Sequence, residues 1–197
     1  MSDPAGAWRA EHAYFRSLLR LLQRELDVFH GGGRPNYELM LDIISYLREF
    51  GDRVHHPRED VAFARLAKRC PDLALPLARL RQQHAVIAHA GEVLAELLAE
   101  ALDDALVKRA EVEIAAATYL VYYGNHIAQE DEDIVGRAEQ ALDAADWEAV
   151  RNAVPAIADP LFGESPAERY RALRRRIAAE SKPPFRKLRR ARRGRAG

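Results

Sequence analysis

Two histidine–glutamate pairs share one spacing: His55-x-x-x-Glu59 in "DRVHHPREDVAF" and His126-x-x-x-Glu130 in "NHIAQEDEDI". Residues four apart lie on one helix face, with β-carbons about 6 Å apart, so both side chains of each pair can reach one point. Two lone histidines, His12 and His84, precede the paired ones by 43 and 42 residues. Four imidazoles and two carboxylates without a thiolate suit iron, manganese or zinc, with iron favoured where oxygen chemistry is intended. Six ligands are too many for one catalytic ion that keeps an open position. They suit two ions, each with two terminal histidines, bridged by both glutamates.

A single histidine on an apolar stripe is ordinarily a core residue with one hydrogen bond. Four at one level, accompanied by two carboxylates that are costly to bury unless paired or metal-bound, need a common cause.

The elements that must position these groups are helices, because apolar residues recur in steps of three and four. The first stretch carries His12, Phe15, Leu19, Leu22, Leu26 and Phe29, and "HGGGRPN" ends it. The second runs from about Tyr37 through Ile44 and His55 to Leu66, with Pro57 expected to bend it. "CPD" makes a turn, and the third stretch holds Leu73, Leu77, Leu80, His84, Ile87, Gly91, Leu94 and Leu98. "LDDAL" separates it from a fourth with Val112, Ala116, Tyr119, Tyr123, His126 and Glu130. Strand signals are almost absent. This pattern predicts an all-α, antiparallel up-down-up-down four-helix bundle. Counting from each histidine to the nearest break gives nearly equal legs, which places all four histidines in one layer.

These residues resemble the hemerythrin-like, or HHE cation-binding, domain family. The resemblance spans about residues 8–142 and rests on "EHAYFRSLL", "HHPREDVAF", "RQQHAVIAH" and "NHIAQEDEDI". It implies His12, His55, Glu59, His84, His126 and Glu130 as ligands of two iron ions. The pair would be carboxylate-bridged, with an oxo or hydroxo bridge. The arrangement is similar to iron-cluster repair proteins and to the iron-sensing domain of a ubiquitin-ligase subunit. It departs from the marine-worm oxygen carriers, whose third helix has a His-x-x-x-His pair, because Ala88 stands four residues after His84. On that ground both irons stay open, which favours irreversible oxidation, peroxide or nitric oxide chemistry over reversible oxygen carriage. His56 is expected in a groove or in solvent, about 100° round an α-helix from His55. His89 falls off the stripe unless a π-bulge corrects its phase. Asp131 is an alternative to Glu130. Tyr119, Tyr122 and Tyr123 are core candidates, one of which can hydrogen-bond a bound ligand.

The 197-residue chain is 48% hydrophobic, enough for one ordinary core. One cysteine, Cys70, excludes a disulfide framework. The start lacks a signal pattern and no run has membrane-spanning length, so a cytoplasmic protein without membrane contact is expected. The zero net charge hides an asymmetry: residues 165–197 hold 13 Lys and Arg against 2 Asp and Glu, leaving the first 164 residues at −11. Residues 143–164 are expected to form a short helical extension covering one end of the bundle, and residues 165–197 a disordered basic tail. Two functions follow. One is a di-iron protein that binds or reacts with dioxygen, nitric oxide or peroxide, or senses iron. The other is a helical interaction protein whose tail contacts nucleic acid or another anionic partner. The sequence is silent on oligomeric state and on turnover.

Overall fold

The computed structural model describes residues 4–103 and 108–180. Every element among them is helical: α1 (Pro4–His30), α2 (Tyr37–Tyr46), α3 (His56–Arg69), α4 (Ala74–Leu102), α5 (Arg109–Gln129), α6 (Val135–Ala141), α7 (Ala144–Arg151) and α8 (Arg171–Glu180). No helix among the described residues is long and apolar enough to cross a membrane.

The boundaries follow local chemistry. Gly32 takes φ +77°, a conformation that costs glycine nothing, and lets Gly33 N–H reach Val28 and Gly32 N–H reach Phe29 at the end of α1. Asn36 caps α2 by accepting from Leu39 N–H. Asp143 and Asp146 form a capping box at the start of α7.

The stretch from Tyr37 to Arg69 is not the simply bent helix expected at Pro57. A π-helical segment, Leu47–His55, joins α2 to α3, and a second, Glu130–Ile134, joins α5 to α6. Pro57 has no N–H for the carbonyl four residues back, and its ring would crowd that carbonyl. The wider π turn just before it relieves both conflicts.

Apolar side chains form two separate clusters. One gathers Phe15, Leu22, Ile43, Leu47, Ile87, Leu94, Ala116 and Ile127. The other gathers Trp8, Phe63, Leu66, Leu77, Leu80, Ile134, Ala138 and Trp147. Burying one such large side chain contributes about 1.5–3 kcal/mol, so each cluster is a substantial core. Along every long stretch the chain passes from one cluster to the other, and His12, His55–Glu59, His84 and His126–Glu130 occupy the crossing points. The polar layer separates the two.

After α6, α7 packs on α3. The expectation of a wholly disordered tail from residue 165 is corrected: Tyr170 and Leu173 are buried, and α8 lies against α2. Tyr170 donates to Glu49, and Arg176 pairs with Glu25. One face of α8 carries enough apolar area to dock despite its arginines. Residues 181–197, the rest of that tail, lie outside the described residues.

Candidate metal centre

All six sequence-predicted ligands are buried, from 0% exposed for His12 and Glu130 to 7% for His84. They converge. Glu59 Oε1 lies 3.2 Å from His12 Nε2 and 2.7 Å from His55 Nε2, while Oε2 lies 3.3 Å from His84 Nε2. Glu130 mirrors it: Oε2 is 3.4 Å from His12 Nε2, and Oε1 is 3.1 Å from His126 Nε2 and 3.8 Å from His84 Nε2. Each carboxylate thus turns one oxygen to the His12–His55 side and the other towards the second hairpin.

The outward ring nitrogens follow a two-fold rule. The residue before each lone histidine holds the paired histidine of the same hairpin: Glu11 takes His55 Nδ1–H at 2.6 Å, and Gln83 Oε1 takes His126 Nδ1–H at 3.0 Å. The residue after each glutamate holds the lone histidine of the other hairpin: Asp60 takes His84 Nδ1–H at 3.0 Å, and Asp131 takes His12 Nδ1–H at 2.7 Å. These acceptors fix the tautomer and leave every Nε2 lone pair facing inward. Asp131 is therefore not a substitute for Glu130; it supports His12 and pairs with Arg16.

Three features break the symmetry. His56, expected in a groove or solvent, is 3% exposed and stacks on His84 with centroids 4.2 Å apart. Its Nε2 has no partner, and its Nδ1 lies 3.3 Å from Asp52. The π segment turns it inward, whereas Ile127 follows His126 at the equivalent position. Trp8 donates its indole N–H to Glu59 Oε1, whereas Leu80 occupies the corresponding place before His84. Glu11 also binds Arg58, whereas its counterpart Gln83 is neutral. His89, the alternative fifth histidine, is 76% exposed on its side chain and far from this layer's burial. Tyr119 and Tyr123 are buried with unpartnered hydroxyls, while Tyr122 is exposed.

The residues fit metal ions. Glu59 Oε2, both Glu130 oxygens, and Nε2 of His56, His84 and His126 are buried without hydrogen-bond partners. Burying such groups unmatched costs about 1–3 kcal/mol each, so the layer is poorly satisfied by protein alone. His12 Nε2 and His55 Nε2 meet at 3.0 Å while both Nδ1 atoms face carboxylates, a meeting of two lone pairs that an added proton or a shared metal ion relieves. Two ligand groups form: His56, Glu59, His84 and His126, and His12, His55 and Glu59.

Without metal, protons supply that charge. Burial opposes ionisation of His55, but Glu59 and Glu11 outweigh it and raise its pKa. Burial likewise opposes His84, yet Asp60, Glu130 and Glu59 push it up to about 11. Glu59 is raised by burial but held well below the usual carboxylate range by His55, His12 and His84. His56 behaves oppositely: burial, then the His84 charge, pulls it well below an ordinary histidine, leaving a neutral donor.

A cavity of ≈ 210 Å³ reaches this layer beside His55 and Glu59, between α1 and α7.

The family model for the hemerythrin HHE cation binding domain matches residues 3–138, and the chain belongs to that family. The match begins and ends somewhat earlier than the expected 8–142, and α7 and α8 lie beyond it. Curated proteins and solved structures gave no match. A cation-binding domain and a buried His/Glu layer together define a metal-binding protein, with iron the family's typical metal.

Proposed function

We propose that the chain holds two iron ions in an antiparallel four-helix bundle and binds or reacts with a small molecule: dioxygen, nitric oxide or peroxide. The observation that carries this reading is the bridging geometry, in which Glu59 and Glu130 each present one oxygen to either side of the layer. His12 and His55 would hold one ion; His84, His126 and His56 the other. An iron pair supplies redox electrons and exchangeable positions for such a ligand.

The chain's own groups make the two positions unequal. His56 would give one side the third imidazole that α4 lacks, so the two ions would not be equally open. The His12–His55 side has two imidazoles and faces the cavity. Exchange is assigned to that side. Glu11, Asp60, Asp131 and Gln83 orient the rings, and Trp8 holds Glu59 in place.

Metal analysis tests this. The purified chain is expected to carry about two irons, since a bridged pair of ions fills together. Glu59→Ala is expected to empty both positions, and His89→Ala to change nothing. Folded protein with zero or one metal, or equal losses from the two substitutions, would overturn the dinuclear reading.

A further inference from the structure

The cavity beside His55 and Glu59 is larger than a diatomic molecule requires. Its volume of ≈ 210 Å³ exceeds the roughly 150 Å³ of a buried apolar cavity that takes up benzene in another protein. Its walls are Trp8, Trp147, Val150, Ala7 and Pro4, with Glu59 and His55 at the inner end. The Trp8 and Trp147 rings meet edge to face at 6.1 Å. Trp147 and Val150 belong to α7, outside residues 3–138, so this wall is built by the chain's extension and not by the family domain.

Most polar groups around the cavity are already engaged, while the exposed Arg151 also lines it and Glu59 keeps one unpartnered oxygen at the inner end. Arg58 donates to both oxygens of Glu11 at 2.8 and 2.9 Å, Glu11 accepts from His55, and the Trp8 N–H is spent on Glu59. A retained water needs two to four polar partners. Water placed here finds few, and an apolar molecule displaces it favourably. The two indole faces offer large, rigid contact area.

We propose that this cavity binds a small, mainly apolar organic molecule of about benzene's size with one polar group, held with that group towards His55 and Glu59. The bound metal would then meet an organic ligand, and α7 would set which one. Only the orientation of the polar end rests on the dinuclear reading; the cavity and its walls do not.

Trp8 and Trp147 are the only tryptophans of the chain, so tryptophan emission, excited beyond the tyrosine band, reports on this cavity and on the metal layer beside Trp8. The experiment titrates the full-length protein, as isolated, with benzyl alcohol, using glycerol as the polar control, and measures metal content on the same samples. A saturable emission change with benzyl alcohol and none with glycerol is expected. Ala7→Leu fills the cavity from an exposed position without disturbing the core, and should weaken binding roughly tenfold or more. Val150→Met fills it from the α7 side and should act in the same direction. No saturable change in the unaltered protein, or unchanged affinity in both variants, overturns the proposal. Binding that Ala7→Leu abolishes, in protein lacking metal, upholds the cavity and sinks the dinuclear reading. Metal-loaded protein that does not respond does the reverse.

Discussion

Replacing His56 by phenylalanine separates ligation from packing. The ring stacked on His84 is kept, and only the two nitrogens are lost. In the metal-free chain, the change removes a buried Nε2 without a partner, which ordinarily costs about 1–3 kcal/mol. It also removes the 3.3 Å contact to Asp52, whose carboxyl is pushed by burial to about 7 and so tolerates losing it. The metal-free variant should therefore be as stable as the parent or slightly more so. With metal the sign reverses. Even a supporting residue of a metal site is worth about 10–100-fold in affinity, and a direct ligand at least that. At saturating metal this removes about 1.4–2.7 kcal/mol of linked stability. For a chain of this length that is a fall of about 3–10 °C in the metal-dependent part of Tm. The assay is thermal unfolding with and without chelator, alongside metal counting. A His56→Phe protein that keeps both metals and the full metal-induced rise in Tm would refute the assignment of His56 as a ligand.

Loading at neutral pH should release protons, because His84, pushed up to about 11, is charged in the metal-free fold, and a pH-indicator titration reads this directly. Metal affinity should accordingly weaken as pH falls. In the metal-free fold the sign is opposite: a raised histidine contributes stability below its unfolded pKa of about 6.5, and that contribution is lost as pH rises towards the folded value. For His84 the folded value is about 11, and chelated protein followed by denaturant titration across alkaline pH should show the decline. At Gly51 a β-carbon would sit 2.6 Å from the Tyr123 hydroxyl. Gly51→Ala should therefore cost about 1–3 kcal/mol by overpacking, less up to about 1 kcal/mol of helix propensity. Tyr123→Phe, which deletes only that unpartnered hydroxyl, should restore stability in the double variant. Independent, additive effects in a denaturation cycle would show that the two groups do not meet.

The six converging side chains and the helical nature of the fold are legible because one period governs both. The α-helical repeat that marks Phe15, Leu19 and Leu22 as core also marks His12, and the i,i+4 spacing marks the two glutamates. His56 was not legible for the same reason: under an α-helical period it sits about 100° from His55, and only the π segment brings it inward. Its signals were local, in Pro57 without an N–H and Gly51 against Tyr123, and neither announces a π turn alone. The outer acceptors could have been found. Glu-Asp recurs as Glu59-Asp60 and Glu130-Asp131, and the second residue of each supports a histidine on the other hairpin. Trp8 and α7 could not, because their roles depend on contacts between segments far apart in sequence. In the tail from residue 165, net charge conceals Tyr170 and Leu173, the buried side chains that dock α8.

The division of the interior into two apolar clusters has a consequence for how the molecule opens. Each cluster draws on all four long stretches, and among the described residues the buried polar layer between them is made of titratable His12, His55, His56, Glu59, His84, His126 and Glu130. Ordinary domains unfold in one step because a continuous core couples every part. Here that continuity runs through ions or protons. With metal in place the halves should exchange amide hydrogens as one cooperative unit. Once metal is stripped and the histidines lose their protons, like-charged carboxylates line the seam, and the end bearing Trp8, Leu66 and Trp147 should open as a separate unit while the larger cluster stays closed. At alkaline pH, metal loss would then be read by the rest of the protein as a change in which end of the chain is folded.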